Sequence, residues 1–278
     1  MKSMEWRLIR SGHMSGAMNM ALDEALLQSV TEGISPPILR LYRWKPATVT
    51  LGYAQSATED VNLAACRDAR LDVVRRMTGG RAVLHDKEVT YAVIAPVHQG
   101  HFEGSVLDCY KVIAEALQQT LISLGLTAQL VPGRRQGSAR QPDRAVCFTA
   151  PSQYELLIDG CKVAGSAQKR QGKGFLQHGS LPIEIDLPLL GQVLPDGQGA
   201  LPEKRFRKVG WLNRWSARPL DIDQVEDRLI DAFQKHLNIQ WLVSKPDAAE
   251  TELAEQLYAE RYANPDWTFR VGSRPDQL

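Results

Sequence analysis

Val73-Val74-Arg75-Arg76-Met77-Thr78-Gly79-Gly80-Arg81-Ala82-Val83-Leu84-His85-Asp86 is the stretch around which the chain is organised. A β-branched run meets two arginines, a Gly-Gly pair and a second apolar run, which predicts a strand, a sharp turn and a returning strand. Paired glycines permit positive φ and carry no Cβ, so backbone at such a corner can approach a ligand closely. Arg75, Arg76 and Arg81 add fixed positive charge there, which suits an anionic, phosphate-bearing partner. An ordinary hairpin with a solvated basic edge has the same spacing, because Gly-Gly turns are common.

Outward from this corner, strands and helices alternate. Residues 5–9 predict a first strand, and 16–30 a helix with Met18, Leu22, Ala25 and Leu26 toward the core and Asp23 and Glu24 on its polar side. Strands follow at 38–44 and 48–53, separated by Lys45-Pro46, and Asn62 caps a helix carrying Leu63, Cys66 and Ala69. Residues 88–95 read as a buried strand closed by Pro96, and 105–124 as the longest helix. The polar, Gly- and Arg-rich stretch 132–144 reads as a long loop that delivers Cys147 near its end. Asp159-Gly160 turns a strand at 154–158 into one at 161–168, and 175–183 supplies a third. A charge run at 203–208 is a solvated face, and helices at 221–237 and 248–262 enclose a strand at 239–243. This order predicts an α/β (α+β) fold, a mixed β-sheet flanked by helices. Residues 1–278 are expected to form one domain, with about 217–278 as a C-terminal helical extension packed on it.

Composition narrows the function classes. With 44% apolar and 23% charged residues the chain is an ordinary globular one, and 33 Lys+Arg against 32 Asp+Glu argues against a dedicated nucleic-acid binder. No stretch approaches the roughly 18 apolar residues of a membrane helix, and residues 1–10 lack the apolar core of a signal peptide. A cytoplasmic protein, not bound to a membrane, is expected. Cys66, Cys109, Cys147 and Cys161 are too sparse for a disulfide scaffold and lack the CxxC spacing of a zinc site, so no metal is expected.

The candidates for chemistry are Cys147, Lys162, the arginine and glycine corner with His85, and His178. A thiol becomes a nucleophile where a cation or amide donors stabilise its thiolate, and a lysine facing a pocket supplies that charge or, once desolvated, takes a proton. Cys147 with Lys162 therefore points to acyl transfer, against the alternative of a buried cysteine and an unrelated lysine. Along the strand, Lys162, Ala164 and Ser166 share one face, leaving room for a ligand chain, and Cys161, the rival nucleophile, falls on the other. His85 and His178 fit either a site or a satisfied strand-end histidine. His13, His98, His101 and His236 read as surface or core.

The corner quoted above, followed by Lys162-Val163-Ala164-Gly165-Ser166-Ala167 and His178-Gly179-Ser180, resembles the biotin/lipoate protein ligase and lipoyl(octanoyl)transferase superfamily. The resemblance implies that fold, with Arg75, Arg76, Gly79, Gly80, His85, Gly165, Ser166 and His178 lining the acyl site and Lys162 reaching the acyl carbonyl. Lipoate ligases of the superfamily usually carry three glycines where this chain has Gly79-Gly80-Arg81, a departure that weakens a nucleotide-binding reading. The segments Val146-Cys147-Phe148-Thr149-Ala150-Pro151-Ser152-Gln153-Tyr154 and Asn19-Met20-Ala21-Leu22-Asp23-Glu24 look like the LipM-type octanoyltransferases.

That likeness implies an enzyme that takes octanoate from octanoyl-acyl carrier protein onto Cys147 and passes it to a lysine of the glycine cleavage H protein or another lipoyl domain. It starts endogenous protein lipoylation. Lys162 would act beside Cys147, the donor's phosphopantetheine arm would pass the basic corner, and no cofactor, ATP included, is implied. A monomer is expected. The alternatives are an ATP-dependent lipoate-protein ligase and a non-catalytic acyl-binding protein.

Overall fold

Glu88 through Ala95 are all buried, which requires cover on both faces and a partner on each edge. In the computed structural model, which describes residues 4–133, 154–194 and 206–270, this strand is β6 (Glu88–Pro96), inside a six-stranded mixed sheet. The spatial order is β10 (Gly165–Gln171), β11 (Gly174–Pro182), β6, β2 (Ile38–Trp44), β1 (Met4–Met14) and β12 (Ile239–Val243). β1 runs parallel to both its neighbours, and the remaining pairs are antiparallel. The segment following residue 217 thus adds an edge strand to the main sheet as well as helices.

Alternation along the strands sorts the core into two layers. Leu39, Leu41, Tyr91 and Val93 face α4 (Val106–Ser123) and α6 (Ile222–Leu237). Ile38, Tyr42, Ala92 and Ile94 face α1 (Gly16–Thr31), against which α7 (Ala248–Leu257) packs. Ser15 caps α1 by accepting from the Met18 amide, and Asn62 caps α3 (Leu63–Asp68) from the Ala65 amide as its sequence predicts. Sandwiched in this way, α1 has no solvent face where one was expected: Asp23 is 1% and Glu24 9% exposed.

The hairpin expected from residues 73–86 is replaced by a three-stranded sheet. β4 (Asp72–Arg75) and β5 (Val83–His85) do not pair with each other; β3 (Thr48–Leu51) lies between them, parallel to β4 and antiparallel to β5. Residues 76–82 are long enough to straddle β3, and they stay attached to its continuation through Arg76 N to Leu51 O (2.9 Å) and Tyr53 N to Thr78 O (2.9 Å). The glycine pair therefore makes a loop over the end of β3 rather than a tight turn.

A third sheet holds β7 (Gln129–Pro132), β8 (Tyr154–Ile158) and β9 (Cys161–Lys162). Asp159 (φ 48) and Gly160 (φ 73) make the predicted turn. The strand expected to run from 161 to 168 breaks at Val163-Ala164 and resumes as β10 in the main sheet. Main-chain bonds pull it off course, since Lys162 N donates to Lys208 O (2.7 Å) and Gly210 N to Lys162 O (2.8 Å). Within the expected solvated run, Lys208 is exposed but Phe206 turns into the core.

The loop over β3 leaves no room beneath it. A Cβ on Gly52 would lie 2.0 Å from the Gly80 carbonyl oxygen. Gly52→Ala is expected to lower stability by about 1–3 kcal/mol through overpacking, measured as a lower urea midpoint.

Candidate active site

Arg40 interrupts the apolar pattern of β2 and is completely buried on the face toward α1. A guanidinium there must find acceptors. It donates to Asp23 Oδ1 (2.6 Å), to the carbonyl and side-chain oxygens of Asn19 (3.0 and 2.7 Å) and to Ser11 Oγ (2.9 Å). Asp23 Oδ2 then accepts from the Tyr42 hydroxyl (3.0 Å) and from His178 Nδ1 (3.0 Å). Burial alone would raise the Asp23 pKa, but Arg40 and the bonded His178 outweigh it and hold the carboxyl below its ordinary range. Burial lowers the His178 pKa, outweighing the bond to Asp23, with Arg76 adding to the depression. A neutral imidazole with Nδ1 protonated leaves Nε2 to accept from Thr78 Oγ1 (2.7 Å), and Thr78 Oγ1 accepts from Arg76 Nε (3.1 Å).

A second limb repeats this order. His85 Nδ1 bonds Glu88 Oε1 (2.7 Å), His85 Nε2 meets Thr50 Oγ1 (2.9 Å), and Thr50 Oγ1 accepts from Arg76 Nη1 (3.0 Å). The hydroxyls of Thr90 and Ser180 both donate to Glu88 in short bonds. Trp44 stacks on His85 with centroids 4.2 Å apart and donates to Thr90 (2.7 Å). Two carboxylate–histidine–threonine chains thus end on one arginine. Arg76 Nη2 also binds the carbonyls of Gly79 and Arg81 (2.8 Å each), so it shapes the glycine loop as well. Gly80 sits at φ +96, and a Cβ there would come within 2.8 Å of that guanidinium.

Between the limbs lies a cavity with about 410 Å³ of empty space, open mouth included. Met20, Tyr42, Trp44, Val83 and Ala167 supply its apolar wall, and Arg76, His85, His178 and Ser166 its polar points. Tyr91 bonds Ser166 Oγ (2.7 Å), and a Cβ on Gly179 would lie 2.6 Å from the Gly165 carbonyl oxygen, so β10 and β11 close that side tightly. A narrow, mostly apolar slot of this kind suits an aliphatic chain whose polar end stays at the rim.

Residues 15–234 match the family model of the lipoyl protein ligase A/B catalytic domain. The chain belongs to this family. It is 38% identical to the octanoyltransferase LipM of Brevibacillus brevis over 96% of this chain and 99% of the relative. With the LipM of Halalkalibacterium halodurans it shares 40%, over 95% and 99% of the two chains. Among solved structures, a lipoate-protein ligase A bound with ATP superposes with a TM-score of 0.82 at 26% identity, covering 96% of this chain and all of that one. Within the lipoyl protein ligase family, the whole-length likeness to octanoyltransferases makes this chain an acyltransferase.

In this family member Arg76, His85, Gly165, Ser166 and His178 come together at one cavity. Gly79 and Gly80 cross the end of β3 beside it. Arg75 does not join them. Strand alternation turns it to the opposite face, where it is fully buried and donates to main-chain carbonyls; burial, reinforced by Arg270, lowers its pKa to about 10. Lys162 is buried at the β8–β9 hairpin with Nζ 3.5 Å from Glu155 Oε1, and it is not on the wall of this cavity. Cys147 lies outside the described residues.

Sequence reasoning did not single out Thr50, Thr78 or Glu88, nor give Asp23 and Arg40 their roles. A charged residue in the middle of a buried strand was the available signal for Arg40, and the His85–Glu88 spacing for the second limb. Among the described residues no group of His, Cys, Asp and Glu is arranged to hold a metal, and no helix is long and apolar enough to cross a membrane.

Replacing Arg40 by Met strands a buried carboxylate and should cost about 3–5 kcal/mol, read from urea unfolding. The His178 imidazole binds a proton less readily when folded than its ordinary 6.5, so the unfolded chain gains more protons as pH falls below that value. Stability should therefore drop as pH falls through 6.5, and His178→Gln should flatten that part of the profile.

Proposed function

We propose that the protein transfers an octanoyl group from octanoyl-acyl carrier protein to a lysine of the glycine cleavage H protein or another lipoyl domain, through a thioester on Cys147. The observation that carries this reading is the match to LipM octanoyltransferases along nearly the whole of both chains. A mostly apolar slot in the described part of the fold supports it.

In the first half-reaction the Cys147 thiolate attacks the donor carbonyl, the new C–S bond forms, and the pantetheine sulfur leaves and takes a proton. In the second, the acceptor amine attacks the same carbonyl, a C–N bond forms, and Cys147 leaves as thiolate while the amine gives up its proton. Lys162 is the candidate for both proton transfers: its ammonium stabilises the thiolate and gives the proton to the departing pantetheine sulfur, and the neutral amine so formed receives the proton from the acceptor. Its strand β9 pairs with β8, into which the Cys147 segment leads, and Glu155 on β8 holds its ammonium. Arg76, His85, His178, Gly165 and Ser166 shape the slot, and the Gly79-Gly80 loop is held against Arg76. Burial of the octanoyl tail contributes about 0.8 kcal/mol per CH₂, so length selectivity needs no charged contact.

A second reading, ATP-dependent ligation of free octanoate or lipoate, rests on the likeness to the ATP-bound lipoate-protein ligase A. Intact-protein mass spectrometry after mixing with octanoyl-acyl carrier protein, without ATP, separates the two. An octanoyl adduct on the wild type that hydroxylamine releases and Cys147→Ser lacks is the expected result; modification of a lipoyl domain only with ATP and free acid would replace it by the ligase reading.

A further inference from the structure

The residues immediately beside the two limbs point backward, and they converge on one segment. In α1, Asp23 faces His178 while Glu24, one residue on, accepts from the Tyr262 hydroxyl (2.6 Å) and pairs with Arg261. Arg75 ends β4 and Arg76, the next residue, lines the cavity, whereas the Arg75 guanidinium donates to carbonyls on two different segments. On one side these are Gly52 (2.9 Å), Tyr53 (3.0 Å) and Gln55 (2.7 Å). On the other they are Trp267 (3.1 Å) and Thr268 (2.8 Å). Trp267 returns a bond from Nε1 to the Arg75 carbonyl (2.9 Å), and its ring meets Tyr53 and Tyr262 edge-on at 6.0 Å each. Arg270 lies over the Tyr53 and Trp267 rings at 4.1 Å and donates to Tyr53 O (3.1 Å).

We infer that residues 258–270 form a strap that sets the width of the acyl slot, with Glu24, Arg75 and Trp267 as positioning residues for acyl transfer. The strap joins the backs of two elements that serve the site. α1 brings Asp23 and Met20, and the end of β4 leads straight into Arg76, on which both limbs close. The link continues to the glycine loop, because the Gly52 held by Arg75 is the residue on which the Gly80 carbonyl packs. Loosening the strap therefore frees one slot wall from the other without removing any group that touches the ligand. Such a change weakens substrate and transition state alike, so it raises KM more than it lowers kcat.

The role in transfer rests on the octanoyltransferase reading, and two measurements keep the ideas apart. Hydrogen exchange, which needs no turnover, should show faster exchange at residues 52–55 and 78–82 in Trp267→Ala than in wild type. Steady-state kinetics should show KM for octanoyl-acyl carrier protein raised about tenfold with kcat within about threefold. Tyr262→Phe, which removes only the hydroxyl on Glu24, should give the same split at smaller size and serves if Trp267→Ala does not fold. Leu229→Ala, a core truncation on the far face of the sheet, should lower stability and leave KM unchanged. Unaltered loop exchange in a folded strap variant, or a KM rise equal in Leu229→Ala, overturns the strap. Faster loop exchange in a chain that transfers no octanoate would keep the strap and remove the transferase reading.

Discussion

The buried pair between Arg40 and Asp23 governs the rest of the site. Taking both charges out of water costs several kcal/mol each, recovered only when geometry and hydrogen bonds are complete. That demand fixes the rotation of α1 on the sheet, because Asn19 and Asp23 must both meet one guanidinium. Once Asp23 is placed, its second oxygen orients His178, His178 orients Thr78, and Thr78 takes one edge of Arg76. A single unsatisfied atom in this chain would leave a charge stranded in the core, so the limb forms as a whole.

Glu88 builds the second limb on the same terms, and Arg76 closes both. The result is a slot whose polar groups are already engaged with one another before any ligand arrives. A rigid, preorganised wall lets an aliphatic chain gain from burial without a reorganisation cost. The neutral state of His178 follows from the same packing, since a protonated imidazole would face Arg76 across Thr78 in a poorly solvated space. The carboxylates thus stand behind the histidines, and the cavity surface, Arg76 apart, is largely apolar.

Most elements were legible because they depend on local pattern. The strands at Ile38–Trp44 and Ile239–Val243, the cap Asn62 and the Asp159-Gly160 turn follow from periodicity and short-range chemistry. The misreadings share one cause. Residues 73–86 carry every local mark of a hairpin, yet β3 inserts between the two strands, and nothing within those residues records that. Asp23 and Glu24 fall on the polar side of a helical wheel, yet α1 is enclosed on that side too, by strand residues and by the segment around Tyr262. Strand alternation could have separated Arg75 from Arg76, but only knowledge of what covers each face tells which of them meets the cavity.

By itself the sequence determined the family, the α/β class and the identity of the reactive candidates. These rest on residue types at fixed spacing, which survive any packing: a cysteine ahead of a hairpin, a lysine before Gly-Ser, an arginine pair before Gly-Gly. Tertiary structure alone decided that Arg76 joins two carboxylate–histidine chains, that Arg75 binds the C-terminal segment, and that Asp23 and Glu88 stand behind the histidines. The partners in those bonds lie far apart along the chain, 193 residues between Arg75 and Thr268. Their meeting depends on strand order and helix rotation, which emerge only when the whole core packs and every buried charge must find its counterpart.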